Sequence, residues 1–180
     1  MFFVPGYIVT YLTFPGVIVH ELGHQLFCRL CKVPVFKVVY FQAGNPAGYV
    51  YHETPRKRLH TILISIGPFF LNTIVGAVIA FPASLPVFTF RNANVLDYLM
   101  IYLGVSIAMH AFPSTGDAAS IADMLKKKDT PFWLKIIGYP ILGLIYIGSF
   151  GSVIWLDLAY GLAIAIGIPK LVIYILNSVY

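Results

Sequence analysis

Apolar residues run along this chain in long blocks, separated by short clusters of basic and turn-forming residues. The first block, about residues 4–30, is interrupted by Pro15-Gly16 and ends among Arg29, Lys32 and Lys37. Residues 36–42 and 49–52 are β-branched and aromatic, and Ala43-Gly44-Asn45-Pro46-Ala47-Gly48 lies between them. Two such runs around a Gly/Asn/Pro turn predict a β-hairpin. Arg56-Lys57-Arg58 introduces a second apolar block, about residues 59–81, which contains Gly67-Pro68 and Asn72. A third block begins near Val95 and passes His110, Pro113, Gly116 and Asp117 before Lys126-Lys127-Lys128. Residues 131–180 are almost continuously apolar and too long for one crossing of ~30 Å of hydrocarbon, so they predict two spans, with a turn at residues 148–152 or near Asp157. The pattern predicts an all-α polytopic membrane protein with about five transmembrane helices and a short membrane-associated β-hairpin after the first. It forms one domain over residues 1–180, with a core of about residues 4–124 and C-terminal spans over about residues 131–180.

Composition supports the membrane reading: 59% of residues are hydrophobic and 11% charged, where a soluble domain carries about 25% charged residues. The net charge of +5 does not signal nucleic acid, because the basic residues gather at the ends of apolar blocks, where they set topology. Six of them lie between the first and second blocks, Arg91 alone follows the second, and Lys126, Lys127 and Lys128 follow the third. The positive-inside tendency therefore puts the N-terminus outside and the first and third loops in the cytoplasm. Met1-Phe2-Phe3 has no basic leader region, so the first span is expected to be retained. Cys28 and Cys31 form a lone C-x-x-C with no second pair to complete a four-thiolate site, which favours a structural role.

The chemistry is concentrated in His20-Glu21-Leu22-Gly23-His24. On a helix the i and i+4 positions share a face, so His20 and His24 can grip one metal ion with Glu21 beside them to handle a water proton. Ionisable groups at membrane depth cost roughly 2.5–3.5 kcal/mol each, so such a cluster marks function rather than packing. A catalytic zinc ion needs a third protein ligand. Asp97, Asp129 and Asp157 fall near span ends and Asp123 lies close to the lysines, leaving Asp117, with Glu53 as the alternative. At 1.5 Å per residue, His20 is ~13 Å from Arg29, Asp117 ~13 Å from Lys126 and Asn72 ~21 Å from Arg58. These groups can converge in the cytoplasmic half of the bilayer.

In its motif order the chain resembles the site-2 protease family of intramembrane zinc metalloproteases. The resemblance rests on the H-E-x-x-H sequence in a first core span, the hairpin-like segment after it, Gly67-Pro68-Phe69-Phe70-Leu71-Asn72, and residues 110–117 at the family's Asn/Pro/Asp-Gly element. His110 stands where the family has Asn, the Pro-to-Asp spacing is one residue shorter, and Ala118 stands where Gly follows the Asp. The resemblance implies one zinc ion held by His20, His24 and Asp117, with Glu21 as general base. It also implies that His110 or Asn72 contacts the substrate backbone or the oxyanion. The substrate would be a membrane protein bound as an extended segment along the hairpin edge. Two rival readings carry different ligands or roles: a non-proteolytic membrane metal protein, and a membrane gluzincin-type protease using Glu53.

Overall fold

The computed structural model describes residues 6–179, so Met1-Phe2-Phe3, the start of the first apolar block at Val4 and Pro5, and Tyr180 lie outside the described residues. About 75% is helical, and the rest includes one small antiparallel sheet. Helices α1 (Gly6–Leu12) and α2 (Phe14–Leu30) lead into strands β1 (Val35–Val39) and β2 (Tyr49–His52). Then come α3 (Arg58–Leu85), continued by a π-helical turn at Pro86–Phe90, α4 (Val95–Met109) and α5 (Thr115–Lys126). The chain closes with α6 (Phe132–Gly151), a short turn at Ser152–Ile154, α7 (Leu156–Leu162), a π-helical segment at Ala163–Gly167 and α8 (Ile168–Val179).

Local sequence explains these boundaries. Pro15 sits in the first turn of α2, where its missing N–H costs nothing, so the first block breaks at Thr13 and the motif helix starts afresh. At its far end Lys32 takes a left-handed conformation (φ 56°), Lys32 N–H bonds Arg29 O at 3.0 Å and Val33 N–H bonds Cys28 O at 2.8 Å. That is a Schellman cap, closed by contact of Val33 with buried Cys28. Both thiols are free, and burial pushes the Cys31 thiol up, which suits a packing role better than a redox one. Helices α4 and α5 each open on a capping box, Asn94 with Asp97 and Ser114 with Asp117. β1 and β2 pair with Val39 opposite Tyr49 and Val35 opposite His52. The Tyr40 hydroxyl donates to Gln25 Oε1 at 2.7 Å, and the Phe41 ring meets those of Tyr11 and Phe14, so the hairpin is fastened to the first two helices.

Helix α3 is the central element: α2, α4 and α5 all pack on it. Gly23 of α2 meets the Pro68 backbone of α3 so closely that an added Cβ would lie 2.9 Å from Pro68 Cα. A core of Ile62, Ile121, Leu125, Leu134 and Ile145 joins α3, α5 and α6. Asn72, fully buried on α3, donates from Nδ2 to Gly16 O at 3.0 Å, Ile107 O at 3.0 Å and His110 O at 3.2 Å, tying α2 and α4 to α3. On α4, Tyr102, Ser106 and His110 stand at i, i+4 and i+8 and serve the break between α1 and α2. Tyr102 OH donates to Leu12 O (2.5 Å), Ser106 OH to Thr13 O (2.9 Å) and His110 Nε2–H to Thr13 Oγ1 (2.8 Å).

Among the described residues, three helices are long and apolar enough to cross a membrane: Arg58–Phe90, Phe132–Ile154 and Leu156–Leu176. Large apolar side chains such as Phe70, Ile74, Val78 and Phe150 point outward from them, as membrane association requires. The five expected spans are not all found as such. The first block is divided at Thr13, and the third is divided between α4, a 15-residue apolar helix, and α5. The last block does break, at Ser152–Ile154, and the helices on its two sides, Phe132–Ile154 and Leu156–Leu176, are each long and apolar enough to cross, as the two expected spans require. Gly138 and Gly148 of α6 meet Leu125 and Phe112, whereas Gly161 of α7 meets Val105 and Met109.

Asn72→Ala takes one hydrogen bond from each of three carbonyl oxygens inside the helix cluster, while His110 O keeps His20 and Ile107 O keeps His110 N–H. Each lost buried hydrogen bond costs about 1–3 kcal/mol, so a clear drop in the thermal unfolding midpoint of the detergent-solubilised protein is expected, and an unchanged midpoint would refute the bridging role.

Candidate metal centre

His20 and His24 lie one turn apart on the buried face of α2, with ring centroids 4.9 Å from each other. What aims them is backbone on other helices. Pro68 has no N–H to give to Ile64 O, four residues earlier on α3, and His24 Nδ1–H donates to that oxygen at 3.0 Å. At the end of α4, Ser114 N–H is drawn to Asp117 Oδ2 (2.8 Å) instead of continuing the helix, and the His110 carbonyl accepts from His20 Nδ1–H at 2.8 Å. A carbonyl can only accept, so both Nδ1 atoms carry the proton and both Nε2 atoms present lone pairs.

Asp117 arrives from the first turn of α5. Its Oδ2 accepts from Ser114 N–H and Ser114 Oγ–H (2.6 Å), while Oδ1 stands 3.5 Å from His24 Nε2. The same carboxylate therefore caps α5 and faces the histidines. Ligand atoms of His20, His24 and Asp117 all lie within 4.8 Å of one another, the one group of three among the described residues that could hold a metal ion. Two nitrogen or oxygen ligands of a tetrahedral zinc at ~2.0–2.1 Å stand ~3.3 Å apart, so the His24–Asp117 edge fits, and the donor set of two imidazoles and a carboxylate suits zinc. Glu21 lies beside them with Oε2 buried and without a hydrogen-bond partner. An orphaned carboxylate oxygen in so apolar a setting has a physical rationale when it faces a cation and its bound water.

Two cavities flank this cluster. One, of about 440 Å³, is lined by His20, Glu21, the hairpin turn, Tyr7, Tyr11 and Phe112. The other, of about 520 Å³, lies between β2, α3 and α5 and has Asp117 in its wall. The hairpin turn reaches Glu21 at Gly48, where an added Cβ would stand 2.7 Å from Glu21 Cγ and 3.0 Å from Tyr40 O. Only glycine fits that approach.

The other residues singled out from sequence have definite places. Asn72 has both amide hydrogens engaged by the three carbonyls, so its N–H groups are not turned to the cavities. His110 lines the cavity beside Glu21, but its Nε2–H is held by Thr13, whose own hydroxyl proton goes to Val9 O. Glu53 is exposed and lies on a separate cavity with Cys31 and Lys57, and it is not part of the metal-competent group. Ser114 and Gly48 escaped the sequence reading. The Ser-x-x-Asp spacing of a capping box was the available signal for the first, and nothing in the sequence marks the second.

Ser114→Ala removes the hydroxyl from Asp117 and should weaken zinc binding 10- to 100-fold, the usual effect of losing a ligand's supporting hydrogen bond. Pro68→Ala returns a competing N–H to Ile64 O and should weaken it in the same direction. Competition titration with a zinc chelator reads both; unchanged affinity in both would show that these contacts do not orient the ligands.

The family described as "Putative zincin peptidase" (DUF3267) matches residues 13–132, about two thirds of the chain, including His20, Glu21, His24 and Asp117. No curated protein and no solved structure matches. Zincins are zinc metallopeptidases, and by the extent of this match the chain belongs to that family.

Proposed function

We propose that this protein is an intramembrane zinc metalloprotease of the site-2 type, cutting peptide bonds of membrane-embedded substrates. The observation that carries the reading is the convergence of His20, His24 and Asp117 with the unpartnered Glu21 oxygen between helices built for a membrane. His20 Nε2, His24 Nε2 and Asp117 Oδ1 hold the ion. Zinc bound there supplies Lewis acidity, polarising a carbonyl and making water a better acid. Glu21 takes the proton of the attacking water and delivers it to the leaving amine. His110, on the cavity wall, faces the substrate backbone, and to donate there its ring exchanges the Thr13 contact for the substrate. Asn72 serves the site by fixing the carbonyl that orients His20.

A substrate helix has its carbonyls tied in i to i−4 bonds and must unwind before it is cut. The unpaired edge of the hairpin offers backbone groups to an extended segment, which keeps the substrate's own backbone satisfied in an apolar setting. The positive-inside tendency supports an orientation with the hairpin and the ends of α3 and α5 that carry Arg58 and Lys126 on the cytoplasmic side, the N-terminus outside and the metal in the cytoplasmic half of the bilayer.

Glu21→Gln should retain about one zinc per chain and lose cleavage of a membrane-embedded peptide by roughly 10²–10⁴-fold. Asp117→Asn should lose both zinc and cleavage, since a neutral amide is a poorer ligand. Full zinc and turnover in Asp117→Asn would sink the ligand assignment. A cysteine placed at Gly44 should be protected from impermeant reagents applied outside, while one at Asn92 should be labelled; labelling of both from one side would overturn the topology.

A further inference from the structure

The two cavities beside the metal cluster differ in chemistry, and strand β2 joins them. Gly48, the residue before it, lies against Glu21 in the first cavity, and Val50, Tyr51 and His52 line the second. An extended segment running beside β2 passes the metal ligands and continues from one cavity into the other. The first has Tyr7, Tyr11, Val17 and Phe112 in its wall, a surface for apolar side chains. The second is walled by Thr54, Arg58, Thr61, Ser65, Asp123 and Lys127.

The second cavity carries basic side chains from two distant runs, Arg58 and Lys127. Arg58 ion-pairs with Asp129, joining Arg56-Lys57-Arg58 to Lys126-Lys127-Lys128. The guanidinium holds the Asp129 carboxyl below the usual carboxylate range, and Asp123 is taken up by Lys126 at 3.8 Å. The charged side chains in the wall of this cavity are the basic Arg58 and Lys127 and the acidic Asp117 and Asp123. Among the described residues Lys127 has no ion-pair partner, although it lines the cavity, and Arg58 Nε is buried without an acceptor.

We infer that the cavity between β2 and α5 receives the hydrophilic side of the substrate and that Lys127, with Arg58 beside it, selects acidic residues there. The selected position follows from geometry. Asp117 and Lys127 bound α5, ~15 Å apart along the helix, and at ~3.3 Å per residue an extended chain covers that in about four to five residues. The substrate is therefore a segment whose apolar part ends near the scissile bond and which carries Asp or Glu about four to five residues beyond it. This rests on the proteolytic reading above and adds a specificity to it.

The test is binding of labelled peptides to the Glu21→Gln protein in zwitterionic nanodiscs, with the peptides carrying Asp, Asn or Lys at the fourth and fifth residues past the apolar segment. The Asp peptide should bind most tightly and the Lys peptide least, by roughly two- to fivefold per step, as exposed ion pairs allow. The differences should shrink in high salt. Lys127→Ala should flatten the order and Lys127→Glu reverse it. An order that is absent, or unchanged in Lys127→Glu, overturns the inference. So does affinity that follows anionic lipid in the nanodisc and ignores peptide charge, which would make the rim a headgroup site. Cleavage of the Asn peptide by the native zinc protein is the separate control. Cleavage without a charge order refutes the specificity alone, while no cleavage refutes the proteolytic reading and leaves the binding order to decide the specificity.

Discussion

The metal centre depends on carbonyl oxygens that their own helices do not use. In an apolar interior an unpaired carbonyl costs about 1–3 kcal/mol, so a proline that deletes a helical N–H creates a demand for a donor from elsewhere. Pro68 creates it at Ile64 O, and His24 answers it. The end of α4 creates it at His110 O, answered by His20 and Asn72 together. Each histidine is thereby locked in the tautomer and direction that leaves Nε2 for a ligand role. The imidazoles and the broken helices stabilise each other, so neither the Gly67-Pro68 element nor the Pro113 break is separable from the chemistry of the His-Glu-Leu-Gly-His turn.

Helix breaks are tolerated at membrane depth only where protein groups satisfy the freed backbone, and this structure supplies such groups as one stripe. Tyr102, Ser106 and His110 recur at helical spacing on α4 and meet Leu12 and Thr13 one after another. The residues that end α1 are thus bonded to the same helix whose end supplies the carbonyl that orients His20. Asp117 extends this economy of parts. As the third residue of a capping box its backbone and one carboxylate oxygen fix the start of α5, which leaves the other oxygen no freedom except toward His24.

Much of this was legible in the chain. The motif spacing, the hairpin strands and the single well-placed carboxylate at Asp117 follow from periodicity, turn residues and depth arithmetic, because each is a local or one-dimensional property. The break near Pro15 was readable too, although it falls at Thr13, since proline settles in the first turn of the new helix rather than within the old one. Asn72 illustrates what was not readable. A buried amide at the depth of the metal ligands looks like a substrate contact, and only the three carbonyls around it reveal a brace. The last apolar block was readable as two helices long enough to cross, parted at Ser152–Ile154, but length and hydropathy do not carry which neighbours receive Gly148 and Gly161, because that is decided by tertiary packing.

Gly48 shows how far the site extends beyond its ligands. A side chain there would strike Glu21, so the hairpin turn can close over the motif helix only with hydrogen at that position. The hairpin is held in that place by contacts that are themselves local to the first two helices, the Tyr40–Gln25 hydrogen bond and the edge-on and tilted contacts of Phe41 with Tyr11 and Phe14. The motif helix, the short helix before it and the hairpin are therefore joined by direct contacts. Glu21 is confined by that unit on one side and by His110 and Phe112 on the other, with its unpartnered oxygen held close to the histidines. In the proposed mechanism a base so confined would work on a proton delivered to one place, and β2, which follows Gly48 and shares a cavity with Asp117, would fix the line along which an extended chain reaches it.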